Sequence, residues 1–253
     1  MNTQTVIVTD AGAVRRITLN RPAKANALTA EMMRALAAAV REAHDARLLV
    51  LEGNGPKGFC AGGDISEFVQ GPEQLKAQEE GLVGLVDACR AAPSPILAAI
   101  HGRTLGAGVL LSTLADVVMA ADNLSFGLPE IRFNMYPVLI HAVLEEKVTP
   151  GVAFQMCAGG RLMDAPEARA LGLVTQILPK ADFAAGIAEA IAFYVANGEA
   201  LAIGRRPRAL LSTSDIAERM SRIGPLMHEN FSRPGVRETI ARHLAGLRSA
   251  KTA

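Results

Sequence analysis

Four short, near-continuous apolar runs constrain this chain more than any other feature: Leu48–Leu51, Ile96–Ile100, Asp116–Ala120 and Leu173–Leu178. A strand that is apolar on both faces belongs in a sheet covered on both sides, as in α/β proteins. Helical segments fall between the runs. Thr29 is placed to cap a helix reaching about His44, with Leu28, Met32, Leu36 and Val40 on one face at a spacing of four. Pro72, after Gly71, suits the first position of a helix reaching about Ala91, and Pro93-Ser94-Pro95 ends it. A short apolar helix is predicted from about Gly106. The chain opens with strands at Val6–Val8 and Arg15–Leu19 around the turn Asp10-Ala11-Gly12.

Beyond Pro179 the strand signals stop. Alanine-rich helical segments are predicted from about Asp182 to Ala196, Gly198 to Leu211, and Ser214 to Leu247. The expected organisation is an α/β body over residues 1–190 and a helical region over 191–253 that packs on its own subunit or on a neighbour.

Composition narrows the function classes. Half of the residues are hydrophobic, none is tryptophan, and mean hydropathy is +0.23. The core must therefore be aliphatic, and some apolar surface is expected to lie between subunits. A formal charge of +1 gives no footprint for nucleic acid or a membrane surface. Arginines gather late in the chain, from Arg205 to Arg248, where a solvated helical face is the simpler reading and a phosphate-binding patch the sharper one. Cys60, Cys89 and Cys157 are scattered and lack metal or disulfide spacing, and the amino-terminal residues do not read as a signal peptide. A cytoplasmic location is the expectation.

Three separated segments carry candidate chemistry: Phe59-Cys60-Ala61-Gly62-Gly63-Asp64, Gly102-Arg103-Thr104-Leu105-Gly106-Ala107-Gly108, and Phe126-Gly127-Leu128-Pro129-Glu130. The first two follow apolar strands and can present backbone N–H groups to an oxyanion. Each such donor contributes about 3–4 kcal/mol to a transition state. Either segment alone would be read as a tight turn. The third supplies a carboxylate in apolar surroundings, where desolvation raises its pKa and suits it to proton transfer. The run from Gly106 does not make a dinucleotide fingerprint, because Leu111 stands where the third glycine belongs. No Gly-x-Ser-x-Gly elbow is present, and His44, His101, His141, His228 and His243 show no metal spacing. Cys60 has no nearby cation to activate it and is read as a packing residue.

Taken in order, these pieces resemble the enoyl-CoA hydratase/isomerase, or crotonase, family. The resemblance runs through Ile17-Thr18-Leu19-Asn20-Arg21-Pro22, Asn26-Ala27-Leu28, Phe59–Ile65, Ala98–Gly102 with Leu105–Gly108, Ala115-Asp116, Phe126–Ile131, and Ala168 with Leu171–Val174. It implies a spiral of repeated β-β-α units with a C-terminal helical oligomerisation region, assembled as a homotrimer or homohexamer. It also implies an acyl-CoA substrate, with coenzyme A entering as part of that substrate and no separate cofactor or metal. By motif, the oxyanion donors would be Ala61 and Ala107, and the catalytic carboxylate Glu130. Substrate contacts would come from Lys24, Ala25, Asn26, Ala27, Leu28, Ala61, Gly62, Gly63, Asp64, Ile65, Leu105, Gly106, Leu110, Pro129 and Tyr136. The nucleotide phosphates would meet the tail, with Lys251 and Phe231 as candidates.

Two departures bear on the reaction. The family's first glutamate matches Leu110, and a Gly-rich stretch common after Pro137 is replaced by Val138-Leu139-Ile140-His141-Ala142-Val143-Leu144. Hydration of an enoyl thioester holds and activates a water, for which the family's hydratases use two carboxylates. Shifting a double bond from C3 to C2 can proceed with one. The expectation is therefore an isomerase, with a fatty-acid-oxidation-type hydratase or a non-catalytic acyl-CoA-binding protein as alternatives. Tyr136 or Glu145 is a candidate to replace the missing acid.

Overall fold

A computed structural model describes residues 4–198, 200–201, 203–204, 216–233 and 235–249. Its main sheet has six strands in the order β1 (Val6–Ala11), β2 (Val14–Leu19), β3 (Leu48–Gly53), β4 (Ile96–Ile100), β6 (Val117–Ala121) and β9 (Gln176–Leu178). The β1–β2 pair is antiparallel and every later pairing is parallel. Alternate side chains of the central strands feed two cores. Leu49, Leu51, Ile96, Ala98, Ile100, Val118 and Ala120 pack toward α1 (Ala30–Arg41) and α3 (Pro72–Ala91). Leu48, Val50, Leu97, Ala99 and Met119 pack on the opposite face toward Ile187 of α8 (Phe183–Ala196). That division is why these strands read as unbroken apolar runs.

A second, three-stranded sheet is built from β5 (Arg103–Leu105), β7 (Ser125–Gly127) and β8 (Leu162–Met163). The chain passes from β4 in the first sheet to β5 in the second and then into α4 (Ala107–Thr113). It repeats the move from β6 to β7. Residues 58–60 make the same step after β3, through bridges Gly58↔Gly102 and Cys60↔Thr104. This repetition is the β-β-α spiral.

Local chemistry sets the helix boundaries. The Thr29 side chain accepts from Met32 N–H and caps α1, which ends at Arg41 rather than near His44. Pro72 occupies the start of α3 after Gly71. The first turn lies at Gly12-Ala13 because β1 continues through Ala11. Four further helices are short: α2 (Ile65–Phe68), α5 (Val138–Leu144), α6 (Pro150–Gly159) and α7 (Ala165–Ala170). The helix expected over Ser214–Leu247 is two helices, α9 (Ile216–Ser232) and α10 (Val236–Ser249), separated around Gly235 at φ +82°. Most of the segment Gly198–Leu211 lies outside the described residues. The 190/191 boundary falls inside α8. No helix among the described residues is long and apolar enough to cross a membrane.

Candidate active site

Two loops meet at the carboxyl ends of the sheet strands. Cys60 N–H donates to Arg103 O at 3.1 Å, and Leu105 N–H donates to Cys60 O at 2.8 Å, so the 58–63 segment lies along β5. Leu28 N–H donates to Gly62 O at 2.8 Å, and Asp64 N–H donates to Leu28 O at 2.7 Å. That pairing turns the Gly63 N–H away from Leu28. Gly106, at φ +53° and ψ −120°, begins α4 and places Ala107 in its first turn. The N–H groups of Gly62, Gly63 and Ala107 have no hydrogen-bond acceptor among the described residues.

Ala61 is different. Its N–H donates to Ala25 O at 2.9 Å, which removes it as an oxyanion donor. Ala61 therefore has no free N–H for the oxyanion role expected of it, whereas the adjacent glycines have, and the Gly63 N–H faces away from Leu28. Ala107 keeps its N–H available despite its Cβ, because its backbone has no positive φ.

Glu130 begins a 3-10 turn, Glu130–Phe133, after β7. Its Oε1 packs against Gly106, where an added Cβ would stand 2.6 Å away. Its Oε2 is buried without a hydrogen-bond partner among the described residues. Burial pushes the carboxyl up to about 7, and a hydrogen bond from its own backbone N–H pulls back only weakly. A carboxyl group poised near neutrality can both take and return a proton.

Glu130, Ala107 and Gly63 line one cavity of about 130 Å³. Ala61, Gly62, Ile65, Gly106, Pro129 and Tyr136 line it too, as expected from the sequence. The remaining wall was not legible there. It comes from Met33 of α1, Phe68, Gln78 and Leu82 near or on α3, Phe133, Met135 and Val138–Ile140, and Met227, Asn230 and Phe231 of α9. Apolar helix faces give no sign of which residues border a cavity and which fill a core.

A profile of the enoyl-CoA hydratase/isomerase family matches residues 9–202. The chain belongs to the enoyl-CoA hydratase/isomerase family. Among its relatives is a Rhizobium meliloti protein named "Probable enoyl-CoA hydratase", 36% identical over 202 residues and 77% of each chain. Human "Enoyl-CoA delta isomerase 2" is 33% identical over 190 residues, covering 71% of this chain and 48% of that protein. In structure, an enoyl-CoA hydratase from Mycobacterium avium subsp. paratuberculosis K-10 superposes with a TM-score of 0.84 at 24% identity, covering 96% of both chains, and supports the fold.

Within this crotonase-type fold, several expected contacts sit behind the cavity. Leu110 is fully buried in the main core and does not border it. The place that matches the family's first glutamate is thus closed by packing. Lys24, Ala25, Asn26, Ala27 and Leu28 flank the first donor loop without lining the cavity, and Leu105 lies behind it in β5. The Asn26 amide is engaged with Asn54 O and Gly58 O, a loop-holding role. Asp64 caps α2 and pairs with Arg21 at 3.0 Å. Burial opposes its charge, but hydrogen bonds from Ser66 and Arg21 outweigh it and keep the carboxyl below its usual range. Phe231 stacks on Phe68 with ring centroids 4.9 Å apart, so it forms apolar wall rather than a phosphate contact. Lys251 lies outside the described residues. Glu145 does not line the cavity, but it reaches Tyr136 through His141. Burial raises the Cys60 thiol to about 12, which fits a packing residue.

Proposed function

We propose that this protein shifts the double bond of an enoyl-CoA thioester from C3 to C2. Glu130 takes the proton from C2, and the N–H groups of Gly63 and Ala107 hold the oxygen of the resulting enolate. One observation carries the reading. Among the described residues lining the cavity, Glu130 is the sole carboxylate, and no histidine or lysine accompanies it. Hydration would ask that wall to hold a water as well, and the second carboxylate's place is taken by buried Leu110. The apolar lining from Met33, Leu82, Leu139, Ile140 and Phe231 suits an aliphatic acyl chain.

The test follows conjugated-thioester absorbance with a 3-enoyl-CoA and, separately, a 2-enoyl-CoA. Absorbance rising with the 3-enoyl substrate, and lost in Glu130→Gln, is expected. Absorbance falling with the 2-enoyl substrate would mean hydration, the reading that the name of the Rhizobium relative favours. No change with either substrate, despite acyl-CoA binding, would mean a binder without turnover. The rate should survive dialysis against a chelator, since coenzyme A arrives with the substrate.

A further inference from the structure

A double-bond shift moves two protons, one at C2 and one at C4, and a second proton-bearing group borders the cavity with Glu130. Tyr136 is that group. Its hydroxyl lies 2.6 Å from His141 Nδ1, and the other ring nitrogen, Nε2, lies 2.9 Å from Glu145 Oε1. His141 and Glu145 stand four residues apart at α5, which puts imidazole and carboxylate on one face. Their side chains are 21% and 33% exposed. The hydrogen-bonded chain therefore runs from the cavity to solvent.

Tyr136 is also held unusually firmly. The buried Asn230 side chain accepts from Tyr136 N–H at 3.2 Å and donates to Tyr136 O at 3.0 Å, as a neighbouring strand would. The Cys157 thiol interacts with the same hydroxyl and, more weakly, with Glu130, and phenol and carboxylate border one cavity. Burial above all raises that thiol to about 12, and it stays neutral. Burial likewise raises the Tyr136 phenol, which keeps its proton until one is demanded.

We infer that Tyr136, aligned by His141 and Glu145, is the acid that protonates the far carbon of the enolate formed by Glu130. This rests on the double-bond-shift reading. Glu130 takes the C2 hydrogen as a proton, and the C–H electron pair enters the enolate, conjugated with the bond between C3 and C4. The C4 end of that system then takes the Tyr136 hydroxyl hydrogen. A C4–H bond forms, the O–H bond breaks, the double bond settles between C2 and C3, and the thioester carbonyl returns. The phenolate then takes back a proton from His141 Nδ1. His141 regains a proton from solvent at its exposed edge, and Glu130 releases its proton to water when product leaves. No proton is gained or lost overall.

The experiment uses D2O and proton NMR on the full chain, with a saturated acyl-CoA and a 3-enoyl-CoA. Exchange of C2 hydrogens in the saturated thioester needs Glu130 alone, whereas the shift also needs an acid at C4. Tyr136→Phe should keep C2 exchange within about threefold and lose the shift by about 100-fold or more. His141→Gly should lose the shift and recover it with added imidazole, which a merely structural role would not allow. Tyr136→Phe shifting the double bond at the wild-type rate would overturn the inference. So would its losing both activities, since Tyr136 would then only support Glu130. A wild type that neither exchanges nor shifts would overturn the double-bond-shift reading itself, and this inference with it.

Discussion

Glu130 is ionised at a cost that ordinary glutamates do not bear, and the cost is visible in stability as well as in activity. Its carboxyl is raised from 4.5 to about 7 by burial. Below pH 4.5 the folded and unfolded forms both hold the proton, and nothing is lost. Above pH 7 both are ionised, and the folded state carries the whole penalty, about 3 kcal/mol. Between those values stability falls as pH rises. Glu130→Gln should therefore stabilise the protein at pH 8, by up to about 3 kcal/mol in chemical denaturation, and do little at pH 4. The same change should lower turnover by about 1000-fold, as expected for loss of an acid–base group. Equal stability of the two proteins at pH 8 would contradict the buried carboxylate. The burial of this carboxyl was legible in the sequence because a glutamate stood after a proline among apolar neighbours. The occupied N–H of Ala61 was not, because a partner such as Ala25 O is chosen by loop packing and leaves no mark on residue type.

At the scale of elements, the loop that opens α4 and the turn that carries Glu130 are fitted to each other. Gly106 leaves room for Oε1 that no other residue would leave, at a φ of +53° that L side chains rarely adopt. Gly106→Ala should keep the sheet intact by circular dichroism yet lower turnover at least about tenfold, by displacing the carboxylate. Wild-type turnover in that variant would refute the fit. The long strands were readable, since β3, β4 and β6 are buried on both faces and announce themselves as apolar runs. The second sheet was not, because β5 and β7 have three residues each and β8 two, too few for any alternation to register. The tail read as one long helix for the opposite reason. Its apolar pattern continues past Pro234-Gly235, and that pattern outweighed the breaker pair that marks the separation of α9 from α10 around Gly235.

At the scale of the whole molecule, the tail folds back over the site. α9 packs on α3 and α5 and brings Met227, Asn230 and Phe231 to the cavity, so the helical region walls the candidate site of its own chain. Phe231→Ala should raise KM for a medium-chain substrate more than it lowers kcat, since it removes wall and leaves Glu130 in place. A fall in kcat with unchanged KM would contradict that role. α8 contributes a single buried residue, Ile187, and leaves Phe193 62% exposed, while α6 leaves Phe154 59% exposed. Such apolar surface fits the expected trimer or hexamer. Sedimentation should give a mass of three or six chains, and a single-chain mass would contradict it. If one desolvated carboxylate drives the chemistry, its titration should govern the pH dependence of kcat/KM for a 3-enoyl-CoA. The rate should rise with pH to half its plateau near pH 7, with Glu130→Gln inactive throughout. A midpoint near the ordinary glutamate value, or full activity in Glu130→Gln, would contradict it.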